Sequence, residues 1–303
     1  MTTADTHRIP PRALILLAIL TLVWGTNWPL FPYAVREVSV WTFRAIGVTL
    51  AGVMLLAVAR ARGQSLAIPR SAWPTIGSAT AFYLVLWNVA STYSAILIPS
   101  GQAAVLGFTM PLWSALISWA VLGERLTRRI VMAVLLGTAA VTLLMVPSFA
   151  AYAQAPLGMG LGLLAGLGWA IGTLILKRSG IVVSAMVLTG WQLLICAAPM
   201  TLGAAWFGDW QWFMPSTLTL AVIGYIALVP MGIGNLCWFA IVGLLPANVA
   251  GLAAILVPVV AMISGALLHG EPLGPLQWLA MLCSVGALSL VLLKPAQRQQ
   301  PLP

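Results

Sequence analysis

The stretch PSGQAAVLGFTMPLWSALISWAVLGERL, residues 99–126, returns in outline as PANVAGLAAILVPVVAMISGALLHGEPL, residues 246–273. A constant offset of 147 aligns Pro99 with Pro246, Pro111 with Pro258, Gly123-Glu124 with Gly270-Glu271, and Leu126 with Leu273. Outward from there, the same offset brings Asn88 onto Asn235 and Gly77 onto Gly224. Trp24 and Trp169 pair at 145, as a short insertion would produce. The similarity between these points is weak. Still, one offset that joins several uncommon residue types marks an internal duplication.

Composition says what kind of chain was duplicated. Of 303 residues, 61% are hydrophobic and 6% are charged, and the mean hydropathy is +1.04. A soluble domain carries about 25% charged residues, so most of this surface must face lipid. The net charge of +9 is not a nucleic-acid footprint, because the basic residues stand singly or in small groups between apolar runs. Cys196, Cys237 and Cys283 all lie inside apolar runs and read as small buried hydrophobes. His7 and His269 make no zinc or haem ligand set. No cofactor is expected, and no nucleic-acid partner; oligomeric state is not readable. The first apolar run is too long for a signal peptide and reads as a retained helix.

A span needs about 20 apolar residues. The chain offers ten: Ala13–Tyr33, Val40–Ala59, Trp73–Ala95, Pro99–Leu122, Ile130–Val146, Leu157–Leu176, Ser184–Phe207, Leu218–Leu244, Pro246–Leu268 and Leu276–Leu293. With the N-terminus in the cytoplasm, 12 of the 14 Lys and Arg fall on the cytoplasmic side; only Arg36 lies outside and Arg44 within the second span. That asymmetry favours an even number of spans with both ends cytoplasmic. The expected organisation is a tail over 1–12, a five-helix repeat over 13–147, a second over 156–294, and a tail over 295–303. Five is odd, so the second copy enters the membrane inverted. The expected fold is therefore all-α, with ten transmembrane helices in two inverted five-helix repeats. Inverted repeats recur in transporters, where two similar halves exchange conformations around a midplane site.

The third span carries the clearest site signal. Thr80, Tyr83, Trp87, Ser91 and Ser94 recur at steps of three and four, within an arc of roughly 80° at about 100° per residue; Asn88 lies beside it. Hydroxyls seldom face hydrocarbon, so the stripe either packs helices together or lines a central cavity. The eighth span is small and breakable instead. Its Pro230, Gly232 and Gly234 are expected to kink or loosen it, and Trp238 follows on the same face. Trp24, Asn27 and Trp169 are further cavity candidates. Asn88 and Asn235 either hold a substrate's charged groups through their amides or join helices at the repeat axis. Pro111, Pro230 and Pro258 are hinge or kink candidates. Arg44 either snorkels to the headgroups or guides a carboxylate. No acidic residue lies at mid-membrane, which favours facilitated exchange or uniport over a proton relay, although His269 beside Glu271 keeps antiport open.

These residues carry a resemblance. Val23-Trp24-Gly25-Thr26-Asn27, Arg44, and Pro111 and Pro258, each followed by Gly-Glu, resemble the EamA family of the drug/metabolite transporter superfamily over nearly the whole chain. The chain as a whole looks like the YddG-type exporters. That resemblance implies alternating-access export of aromatic and other amino acids across the bacterial inner membrane, and of methyl viologen. The second copy departs from the pattern, with Trp191-Gln192 where the first has Arg44-Ala45. A multidrug or nucleoside-type exporter is the alternative of the same fold. An integral membrane enzyme acting on lipid is the alternative from another class, and His269 with Glu271 is a poor set for it.

Overall fold

A computed structural model describes residues 10–98, 100–121, 123, 127–146, 155–208, 215–245, 256–270 and 273–292. Pro99, Glu124, Pro246 and Glu271 of the repeat motif lie outside the described residues. Ten helical segments and no strand occur among the described residues. We number them α1 (Pro11–Ala34), α2 (Val40–Ala61), α3 (Arg70–Leu97), α4 (Gln102–Ala120), α5 (Arg128–Met145), α6 (Pro156–Arg178), α7 (Ala185–Phe207), α8 (Thr217–Leu244), α9 (Val257–His269) and α10 (Pro275–Leu292). All but α5, α9 and α10 are long and apolar enough to cross a membrane. Leucines and aromatics crowd the outward faces, with Trp206 83% exposed and Leu267 82%. Such a surface suits lipid.

Local chemistry starts and stops these helices. Ser39, Thr127, Ser184 and Ser216 each accept the backbone N–H three residues on, and so cap α2, α5, α7 and α8. Proline stands in the first turn of α1 and α6, where its missing N–H costs nothing. The glycine of the Gly-Glu pair in both repeats now has a reason. Gly123 and Gly270 take φ of 65° and 68°, the left-handed conformation that ends a helix and suits glycine.

Several spans are interrupted. α1 stops at Gly25, passes a 3-10 turn over Trp28–Leu30, and resumes at Phe31. α4 breaks at Phe108–Thr109, with Pro111 in the first turn of its second piece. In α9, Pro258 likewise stands in the first turn, at the edge of the described residues. Most telling are two π-helical segments, Ala81–Leu86 in α3 and Ala227–Gly234 in α8. Moved by 147 residues, the first falls inside the second. The loosening expected at Pro230 is thus one half of a symmetric feature, and its partner contains no proline. Single π turns concentrate at functional sites.

Repeat-related helices meet in pairs: α2 lies along α7 and α5 along α10. Across the first pair, a Cβ on Gly52 would sit 3.1 Å from the Gly190 carbonyl oxygen, so the two backbones nearly touch. α6 packs along α3, where a Cβ on Gly172 would meet the Ala79 carbonyl at 2.6 Å. At the end of α6, Lys177 Nζ donates to the Val242 and Leu245 carbonyls at 2.6 and 3.1 Å, which caps α8.

Candidate functional site

The helix breaks and π segments converge on one cavity. Its walls come from both repeats: Trp24, Asn27, Trp28 and Phe31 of α1; Arg44 and Val48 of α2; Leu84, Trp87 and Asn88 of α3; and Phe108 of α4. From the second repeat come Trp169 of α6, Leu193 of α7, and Pro230, Met231 and Asn235 of α8. The space is about 40 Å³, room for a few water molecules. A larger solute enters only when the walls part.

Those walls are interlocked indoles and phenyl rings. Trp87 meets Trp169 edge-on at 4.8 Å between centroids. Trp24 meets Trp169 at 5.3 Å and 89°. Phe108 touches Trp24, Trp28 and Trp87 at 6.0–6.3 Å. Edge-to-face contacts of this kind hold large apolar area in a defined shape. Trp24 is oriented further by its indole N–H, which donates to the Pro230 carbonyl at 3.1 Å.

The polar groups are few and specifically held. Asn88 Nδ2 donates to the Leu84 carbonyl and Asn235 Nδ2 to the Met231 carbonyl, each at 2.8 Å. The two bonds are repeat equivalents, and both carbonyls lie in π segments. A carbonyl only accepts, so each amide must turn its nitrogen to the helix. Asn235 Oδ1 is then left buried without a partner among the described residues, as is Asn27 Oδ1. Arg44 is 2% exposed. Its Nε donates to Thr92 Oγ1 at 2.7 Å, and that hydroxyl donates on to the Asn88 carbonyl. The guanidinium lies 4.6 and 4.9 Å from the Phe31 and Phe43 ring centroids. The snorkelling reading fails here: Arg44 turns inward and is sealed from the outer surface.

Of the residues singled out by sequence, Trp24, Asn27, Trp87, Asn88, Trp169, Asn235 and Pro230 come together on the cavity. Thr80, Tyr83, Ser91 and Trp238 do not line it. The Tyr83 hydroxyl donates to Gln192 Oε1 on α7. Trp238 stands behind Trp24 and Trp169, at 5.8 Å from each. Thr80 and Ser91 are buried with hydroxyls that find no partner among the described residues. For Thr80 and Tyr83, which precede or lie within the π segment while Trp87 and Asn88 follow it, the separation has a simple cause. A stripe on α3 assumes 100° per residue throughout, but the π segment over Ala81–Leu86 adds a residue to the turn and rotates the helix beyond it. Trp28, Phe31 and Phe108 join the site without a sequence signal of their own in the third or eighth span. Trp28 stands four residues after Trp24, a spacing that places both on one helical face and could have found it.

Comparison with known proteins agrees with this architecture. The model of the EamA-like transporter family matches residues 11–146 and 156–293. The chain belongs to the EamA-like transporter family. Each match spans one repeat, and together they make this EamA-like chain a multi-pass membrane protein. It is 26% identical over 265 residues to the uncharacterized transporter YvbV of Bacillus subtilis, covering 86% of this chain and 85% of that protein. It is 28% identical to the uncharacterized protein PA1977 of Pseudomonas aeruginosa, covering 94% and 96%. It is 27% identical to the uncharacterized inner membrane transporter YedA of Escherichia coli K12, covering 91% and 89%. A crystal structure of a protein 20% identical in sequence superposes with a TM-score of 0.75 over 93% of this chain and 97% of its own. That likeness concerns the fold.

Proposed function

We propose that this EamA-like chain exports small amphipathic metabolites, aromatic and other amino acids first among them, by alternating access through the central cavity. It would do so in a bacterial inner membrane with both termini cytoplasmic, the orientation that the Lys and Arg distribution favours. One observation carries the reading: both repeats contribute to a single cavity whose walls are aromatic and whose few polar atoms are oriented. Aromatic walls take an apolar body, and Arg44, Asn27 and Asn235 take a polar head. The matched π segments and the breaks in α1 and α4 supply places where each half can bend. The multidrug reading uses the same aromatic walls but must place organic cations beside Arg44, which repels them.

The test is efflux of a panel of amino acids from proteoliposomes containing the full chain, with Trp87→Ala and Trp169→Ala beside the wild type. Efflux that favours aromatic side chains, and loses that preference in both variants, is the expected result. No efflux of any amino acid by the wild type would overturn the assignment.

A further inference from the structure

We infer that Arg44 is the group that binds the substrate's carboxylate, so that a carboxylate is required for recognition and a cationic head is excluded. This rests on the reading of the central cavity as a substrate site and names the chemistry that site selects. Among the described residues that line the cavity, Arg44 alone is charged. Glu37 is the only acid among the described residues, and it is committed elsewhere, to the Ser216 backbone N–H. A guanidinium taken out of water without a counter-ion is unfavourable, and a monocarboxylate ligand would balance it one for one.

Geometry points the same way. The Thr92 hydroxyl takes Nε, and the Phe31 and Phe43 rings flank the guanidinium, so its direction is fixed. Nη2 is buried and has no hydrogen-bond partner among the described residues. An oriented guanidinium nitrogen with its N–H groups still to give suits a carboxylate. On the same cavity, the Oδ1 atoms of Asn27 and Asn235, which have no partner among the described residues, can accept from an ammonium but cannot replace a counter-ion. The groups therefore rank in importance. The carboxylate is essential, the ammonium adds to it, and an ammonium alone meets an uncompensated positive charge. A dianionic phosphate would exceed what one guanidinium balances.

The experiment is equilibrium binding to the full chain in nanodiscs, using L-phenylalanine, 3-phenylpropionate, phenethylamine and L-phenylalanine amide. The wild type should bind the first two at least about tenfold more tightly than the last two, the scale of one charged hydrogen bond. Arg44→Gln should lose that ratio by weakening the carboxylates while phenethylamine holds or gains. A purely structural role for Arg44 would weaken all four together. If phenethylamine binds the wild type as well as phenylalanine does, the cavity reading stands and the Arg44 assignment is overturned. If none of the four binds, the cavity reading itself falls and takes the assignment with it. The wild-type arm needs no variant, so a failure of Arg44→Gln to fold leaves the test intact.

Discussion

Trp24 reaches the Pro230 carbonyl across 3.1 Å because residue 234, one turn further along α8, is glycine. A Cβ at Gly234 would collide with the Trp24 indole nitrogen itself. The bond therefore joins Trp24 to two neighbouring positions of α8 that lie 206 and more residues away in the chain, and the π segment presents the carbonyl. Gly234→Ala is expected to push Trp24 off the bond and out of register with Trp169. Overpacking costs about 1–3 kcal/mol. A lower unfolding temperature with reduced transport is the expected result; an unchanged midpoint would argue against the close fit.

The other repeat holds the same parts in a different arrangement. Trp169 is the counterpart of Trp24, and Tyr83 stands where Pro230 stands. Yet the Trp169 indole N–H is buried without a partner among the described residues, and Trp87 occupies the place of Gly234. Under the proposed exchange of conformations between halves, Trp24→Phe removes a bond present in this conformation. Trp169→Phe removes a donor left for the opposite one. The two substitutions should shift the balance of facings in opposite directions. A single cysteine at Asn27, in a background without Cys196, Cys237 and Cys283, reports this through its alkylation rate from each side of the membrane. Equal rates in both variants would show that these indoles do not set the balance.

Much of the fold is legible in the sequence because membrane burial constrains composition so tightly. The offset of 147 is visible in Pro111, Pro258, Gly123 and Gly270, residues suited to backbone geometry that few others can adopt. The site is less legible, for a definite reason. Face assignment on α3 assumes a regular helix, and no residue in Ala81–Leu86 advertises a π turn. The segment is visible from sequence only through its partner, where Pro230 and two glycines loosen α8. Sequence alone leaves Arg44 open between the headgroups and a carboxylate, because it gives depth along a helix but not whether neighbouring helices cover the side chain. Thr92, Phe31 and Phe43 cover it.

Outside the spans, Glu37 ties the α1–α2 connection to the start of α8. Its Oε2 accepts the Ser216 backbone N–H at 2.7 Å. That bond first, then the Thr219 hydroxyl, holds the carboxyl below its ordinary value of 4.5. A depressed carboxylate stabilises the fold above the unfolded-state value and loses that contribution as pH falls through the folded one. Stability should therefore be flat from neutral pH down to about the ordinary value and decline below it. The decline should be shallower in Glu37→Gln. Thermal midpoints of both proteins across that range test it; parallel curves would remove Glu37 from the account.

Tyr83 separates a structural role from a binding one. Its ring packs edge-on against Trp169 and Phe239, at 5.5 and 5.3 Å, and its hydroxyl donates to Gln192 Oε1. Gln192 Nε2 already lacks a partner among the described residues. Tyr83→Phe would strand the whole amide, at about 1–3 kcal/mol for an unsatisfied buried group. Removing both ends of the bond should cost less than the sum of the single changes, because Tyr83→Phe with Gln192→Leu leaves no orphaned polar atom. Tyr83 stands off the cavity walls, so substrate preference should survive in every variant of this cycle, unlike in Trp87→Ala. Denaturation midpoints measured beside efflux preference decide the matter. Altered preference in Tyr83→Phe at unchanged stability would return the hydroxyl to the binding site.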